Sequence, residues 1–395
     1  MTNDHPSICP NGFARPGVVR VVGTTLHHSA GGVRAIRQKI HRLPPLTAAL
    51  GWLISEVVQE ARQDLPTSTT ELHMMTDGCL AHRRTSTGYW FTPKALDQLL
   101  KLLDAPPHAG PYLAAVSPDR RATEVNHILR RNPDRPVALR LRRSLAADAF
   151  EVFSVVTPRY TPVDPDTVAL RLLDDANTDS RLAEARAEVI YTGERTSIRL
   201  YHDSDVATEH LGLNETFASV LGLVLGDDKT SGIHVDVSAL RNVCLNLMLV
   251  TADTHGLLRA RHLGDPDQLT RQIAGAVTGG AELLPTFLET YRAASEVTVD
   301  NPLSVIEQLT GAAAGKKTGA FLQVPGIKPH LLAERITEAW HQETDPTQKG
   351  IANSITKAAH TFPWPTIWTG RELERQASLL LAMPEPRFHR LASPA

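Results

Sequence analysis

Residues 238–263 read SALRNVCLNLMLVTADTHGLLRARHL. Whether this stretch is a helix decides the expected fold. Leu240, Cys244 and Met248 recur at helical spacing, as do Val243, Leu247 and Val250. That pattern predicts a helix opened by Ser238 as its N-cap. Gly256 then marks a turn, and Arg259, Arg261 and His262 follow as a basic segment. Cys244 reads as a small core hydrophobe, the usual role of a buried free cysteine. A nucleophilic Cys244 would need His255 or His262 folded back on it as a base. Asn242 and Asn246 fall one turn apart on the polar side, suited to capping a neighbour or to bonding a base edge.

Upstream the chain is rich in strands. Glu188 to Tyr201 splits at Thr192-Gly193 into a hairpin, and Phe217–Leu225 with Gly232–Val237 forms another around residues 226–231. Val137–Arg142 and Ala149–Val156 are β-prone runs, followed by Arg159-Tyr160 between two prolines and a helix over 166–174. Hairpins running into a helix predict an α+β fold, with a central antiparallel sheet and a helix packed on it. Helical modules flank it on both sides. Before the sheet, a basic helix opens at Gly31-Gly32 and a second helix spans 47–63. Leu72–Ala81 then reads as strand, turn, strand, and Gly88–Phe91 continues it. Thr92-Pro93 and Ser117-Pro118 each start a helix, with proline at the first helical position. In the second, Arg120-Arg121 and Arg130-Arg131 are spaced within reach of one face. After the sheet, a long helix runs from Asp265-Pro266 to about 294, a linker covers 311–317, and three helices lie near 329–342, 346–361 and 370–382. The expected units are 1–66, 67–300 and 301–395.

The chain has 395 residues, enough for two or three domains, and its formal charge of −2 conceals local asymmetry. No acidic residue lies between Asp4 and Glu56, where Arg34, Arg37 and Lys39 fall. From Asp119 to Arg143, eight arginines stand against three acids, a net of +5. Patches of this kind are the usual footprint of a nucleic-acid binder. Cys9, Cys79 and Cys244 are far apart, without C-x-x-C, so neither a zinc knuckle nor a disulfide framework is expected. No secretory pattern or long apolar run is present, and the reading is a cytoplasmic protein without a membrane partner. Phosphate-loop, nucleophile-elbow, zinc-helix and dinucleotide fingerprints are all missing from the sequence, so no cofactor is expected.

Four segments together resemble the phage/plasmid-like protein family catalogued as domain of unknown function 932. They are FTPKALDQLLKLL (91–103), ALRLRRSLAADAFEVFSVVTPRYTPVD (138–164), LRNVCLNLMLV (240–250) with Arg261-His262 after it, and GIANSITKAAHT (350–361) with RELERQASLLLA (371–382). The resemblance covers roughly residues 70–385, with Ser378 standing where a glycine is more usual. Members ride on phages, plasmids and integrated elements near recombination and anti-restriction functions, which implies DNA or RNA metabolism. At fold level the order of hairpins and helix also resembles single-strand annealing proteins of the Rad-fifty-two type.

These observations favour a non-enzymatic nucleic-acid-binding protein of a mobile element, with single-stranded DNA as the expected partner and a homo-oligomer in view. Arg140, Arg142, Arg143, Arg159, Arg241 and Arg261 would line its groove, because a guanidinium bonds two phosphate oxygens at once. Tyr160 would stack on bases and His262 would sit beside them. Arg34, Arg37 and Lys39 would extend the surface. The sharpest enzymatic alternative is a metal-dependent nuclease using Asp227, Asp228, His234 and Asp236, which fall within ten residues. The same aspartates suit an ordinary hairpin turn. A third reading is a protein-binding factor in defence or counter-defence, with the helical ends as its interface.

Overall fold

The computed structural model describes residues 20–22, 40–144, 149–207, 216–226, 232–241, 247–250, 258–280, 284–313, 320–324, 326–342, 344–364 and 366–392. The N-terminal tail, most of the basic helix, and the segments holding Asn242, Cys244, Asn246 and His255 lie outside them.

The fold is α+β, built on two sheets rather than one. A short strand, β1 (Arg20–Val22), and helix α1 (Leu46–Gln59) come first. The chain then forms β2 (Gln63–Ser68), β3 (Leu72–Met74), β4 (Leu80–His82) and β5 (Thr87–Phe91). Helices α2 (Pro93–Leu102), α3 (Ala109–Ala115) and α4 (Pro118–Arg131) follow, before β6 (Pro136–Ser144) and β7 (Ala149–Val156). These six strands make the first sheet, in the order β2-β6-β7-β5-β4-β3, antiparallel except where β5 runs parallel to β7. Thr92 starts α2 as expected, its hydroxyl accepting from the Ala95 amide at 3.1 Å. Leu96, Leu99 and Leu100 of α2 and Val125 and Leu129 of α4 pack on Leu139, Leu141 and Val155, which closes one face of this sheet.

Helices α5 (Pro165–Ala176) and α6 (Ser180–Glu184) lead into the second sheet. Its strands are β8 (Arg186–Tyr191), β9 (Arg195–Ala207), β10 (Thr216–Gly226), β11 (Ile233–Arg241), β12 (Leu247–Val250) and β13 (Leu258–Ala260). They run antiparallel in the order β1-β8-β9-β10-β11-β12, with β13 also on β11. Both expected hairpins are present. The helix expected over 238–250 is not: Leu240 pairs with Leu247 and Val237 with Val250 in an antiparallel ladder. Leu247–Val250 is apolar at every position and so meets helical and strand spacing alike, and pairing with the edge of β11 decides it.

One face of the second sheet is apolar. Val189, Ile198, Leu200, Leu223 and Val235 pack with Leu50 and Leu53 of α1, Leu172 of α5 and Ile273 of α7 (Pro266–Gly279). The N-terminal helix therefore belongs to this core. Beyond α7 the chain does not continue as one helix to 294. It restarts as α8 (Leu284–Glu296), after a stretch that Gly275, Gly279 and Gly280 weaken. Then come α9 (Pro302–Thr310), α10 (Pro329–Trp340), α11 (Gln348–Thr361), α12 (Ile367–Leu381) and α13 (Glu385–Ala392). This C-terminal helical module has its own core around Tyr291, Ile306, Ile336, Ile355, Leu373 and Phe388.

The hairpin between β8 and β9 joins the two sheets. Gly193 sits there at φ +75°, and a Cβ at this position would collide with the Arg142 guanidinium. Gly264, at φ +101°, has open space around it. Gly193→Ala is therefore expected to lower the urea midpoint by more than Gly264→Ala. Backbone strain, of roughly 1–3 kcal/mol, is common to both, and only the first displaces a buried charge.

Candidate nucleic-acid interface

Arg140 and Arg142 do not line a groove. β6 alternates Leu139, Arg140, Leu141, Arg142, and its arginine face turns inward between the two sheets, leaving Arg140 1% exposed. Arg140 bonds Asp64 through Nε at 3.1 Å and Asp164 through Nη2 at 2.7 Å. Arg142 Nε bonds Glu151 at 2.5 Å. A third guanidinium, Arg62, reaches in from the turn after α1. Its Nη2 donates to the Tyr191 hydroxyl and the Gly193 carbonyl, both at 2.8 Å. The ladder between β6 and β7 shifts register after Arg140, leaving Phe153 unpaired in it. Arg62, Arg140 and Arg142 stand 5.2, 5.2 and 5.4 Å from the centre of that one ring. Burial works against the Arg142 charge, but Glu151, Glu60 and Glu194 outweigh it and raise its pKa. Burial also opposes ionisation of Asp164, and Arg140 and Arg62 overcome it. These arginines are structural, because their charge is already answered inside the protein.

The other candidates scatter. Arg143 and Arg159 are exposed, while Tyr160 turns inward, stacked on His262 at 4.7 Å and 16° and lying 5.5 Å from the Arg140 guanidinium. His262 is buried and its Nδ1 donates to the Thr161 carbonyl at 3.2 Å. Burial pushes its pKa down to about 4. Of the arginines paired in α4, Arg121 is fully buried, bonding the Leu113 carbonyl at 2.8 Å, and Arg120, Arg130 and Arg131 are exposed, so the pairs do not share a face. Arg241 falls in β11 rather than on a helix. Arg34, Arg37, Lys39, Asp227 and Asp228 lie outside the described residues. Among the described residues no three His, Cys, Asp or Glu side chains come together as a metal site.

The opposite face of the second sheet carries the chemistry. Along β9, Arg195, Ser197, Arg199 and Tyr201 alternate with the core residues Thr196, Ile198 and Leu200. On β11, His234 and Asp236 alternate onto that polar face, and Gly222 of β10 pairs with both Arg199 and Asp236. Helix α12 crosses this face, presenting Trp368, Arg371, Glu372 and Arg375 at the i, i+3, i+4, i+7 spacing of one helix side. Between helix and sheet lies a cleft of about 560 Å³, lined by Arg195, Arg199, Arg261, Arg371, Arg375 and Trp368, with His234 and Asp236 on its floor.

Two buried ion pairs clamp α12 to the sheet at the base of this cleft. Arg199 pairs with Glu374, and Arg371 bonds Glu188 at 2.8 Å. Glu374 also meets His360 at 2.8 Å, and burial of its charge is overcome by Arg199 and His360. Nearer the opening, the Arg195 guanidinium lies 4.9 Å over the Trp368 ring. Arg375 holds Glu372 in a two-pronged pair at 3.0 and 2.6 Å, about one third exposed on each side. Burial would raise the Glu372 carboxyl, but Arg375, Gln376 and Arg195 hold it below the usual range. Arg261 is exposed and makes no ion pair among the described residues.

Of the expected groove, Arg261 is the one member among the described side chains that lines this cleft. Arg195, Arg199 and Trp368 carry no motif, while Arg371 and Arg375 fall in the 371–382 segment of the family resemblance without being singled out; two patterns could have found them, the R-x-S-x-R-x-Y alternation of β9 and the one-sided spacing of α12. No family model, no curated protein and no solved structure matches the chain.

The depressed His262 fixes a pH dependence. Above about pH 6.5 the residue is neutral in both states. Between about 6.5 and 4 the unfolded chain binds a proton that the folded one refuses, so stability falls as pH falls. The loss attributable to this group is on the order of 3 kcal/mol. Denaturant unfolding from pH 7 to pH 4 should show a shallower decline for His262→Gln than for the parent protein.

Proposed function

We propose that the protein binds single-stranded nucleic acid, without catalysing a reaction, through the cleft between α12 and the polar face of the second sheet. The observation that carries this reading is five arginines and a tryptophan converging on one cleft. Arginine forks answer phosphate oxygens, and an indole offers a base a stacking face whatever its identity. The exposed Arg159 and Arg143 add positive charge outside the cleft. The resemblance to a phage/plasmid-like family supports the same reading by association, and with it a place in the recombination of mobile elements and assembly as a homo-oligomer.

A titration of labelled single- and double-stranded oligonucleotides against salt tests it. Single strands should bind more tightly, and affinity should fall as salt rises because each phosphate contact releases counterions. Replacing both Arg261 and Arg375 by alanine should flatten the slope of log K against log salt by about 1–2, since each single-strand phosphate contact contributes roughly 0.7. An unchanged slope in the double variant, or no binding of any oligonucleotide at low salt, overturns the proposal.

A further inference from the structure

Resting on that reading, we infer that the cleft takes one nucleotide unit bearing a terminal phosphate, either a nucleoside monophosphate or the phosphorylated end of a strand, rather than a length of strand passing through. Size is the first reason. At about 560 Å³ the cleft falls in the roughly 300–1,000 Å³ range of sites that enclose a small ligand. Grooves that track a strand span about 4–16 nucleotides.

Closure is the second reason. The Arg199–Glu374 and Arg371–Glu188 pairs fasten α12 to β9 and β8, so the cleft ends on buried, bonded side chains. A strand cannot slide beneath the helix without breaking both pairs, each of which would leave a buried charge without its partner. A strand end, or a free nucleotide, can enter.

The chemistry inside is divided accordingly. Trp368, backed by Arg195, presents the flat surface. Arg375 and Arg261 are the more exposed guanidiniums and suit the phosphate. Asp236, 8% exposed on the sheet floor, disfavours an anion beside it and leaves the phosphate to Arg375 and Arg261. Glu372 occupies the fork of Arg375 that the phosphate needs. Counting the residues that clamp the base, five arginines stand against Asp236, Glu188, Glu372 and Glu374, a net of only +1. Glu372 is therefore a built-in competitor. A ligand phosphate takes its place on Arg375, and neutralising it doubles the net positive charge.

Calorimetry with nucleoside 5′-monophosphates and with inorganic phosphate, alongside short oligonucleotides with and without a 5′-phosphate, tests the inference. The expected results are binding of the monophosphate, tightening by about threefold or more in Glu372→Gln, and loss of at least about fivefold in Trp368→Leu with inorganic phosphate unaffected. Oligonucleotides should bind more weakly once the 5′-phosphate is removed. If monophosphates fail to bind while both kinds of oligonucleotide bind equally, the single-unit inference falls and the nucleic-acid reading stands. The inference falls in the same way if Trp368→Leu and Glu372→Gln leave monophosphate affinity unchanged. If no oligonucleotide binds at low salt, both fall together. Glu372 is partly exposed and caps no core, so Glu372→Gln keeps the test informative even if Trp368→Leu does not fold.

Discussion

Three guanidinium groups gathered round one phenyl ring hold the two halves of this protein in register. Arg62, Arg140 and Arg142 all lie within 5.4 Å of the Phe153 ring centre. Like charges this close would repel unless each were answered, and each is, by Glu60, Asp64, Asp164 or Glu151. The answering groups come from different parts of the chain: the turn after α1, the start of β2, the approach to α5 and strand β7 itself. Arg62 then reaches across to Tyr191 and Gly193 of the second sheet. Removing one member would strand the others, which is why breaking a buried pair costs about 3–5 kcal/mol although the intact pair adds little net stability. The cluster ties the second sheet's hairpin to the first sheet, through Arg62 on Tyr191 and Gly193 and through Arg142 packed against Gly193.

With the first sheet fixed against that hairpin, the second sheet presents two unlike faces. Its apolar face closes on α1, α5 and α7. The other face carries Glu188, Arg199 and Tyr201 in its interior, which water alone could satisfy if the face were bare. The C-terminal helices cover it instead, and they do so with charges: Arg371 for Glu188 and Glu374 for Arg199. Where α12 meets the sheet through these pairs the gap is shut. Where Gly222 offers no side chain and Trp368 stands on Arg195, a cleft remains. The candidate site is thus the part of a charged interface that the two layers leave unfilled.

Local signals in the sequence carried far. The Thr92-Pro93 start of α2, the Thr192-Gly193 turn and the Asp265-Pro266 start of α7 are each decided within a few residues, and each was readable. What covers a strand's face is not local. L-R-L-R in β6 announces that Arg140 and Arg142 share a side, and that is correct; the pattern is silent on whether water or Asp164 waits there. The same silence let Arg195 and Arg199 pass unnoticed, although their alternation is as regular. The 238–250 run misled for a different reason. Its apolar residues fit a helix face, but strand β11 offered an open edge, and a backbone bonded into a ladder outweighs a periodicity that does not discriminate.

Arginine therefore means opposite things at two places in one chain, and the difference lies in access. In the junction, burial raises the value of every counter-charge, so Arg142 is held more firmly charged than in water and cannot be recruited by an outside anion. In the cleft, Arg375 shares its charge with a carboxylate that is one third exposed, in a setting where such a pair is worth little and exchanges readily. An anion competes for the second kind of arginine and not the first. The binding surface is to be sought where ion pairs are partly wet, and in the candidate cleft that condition is met by the Arg375–Glu372 pair, on the side of α12 that faces the second sheet.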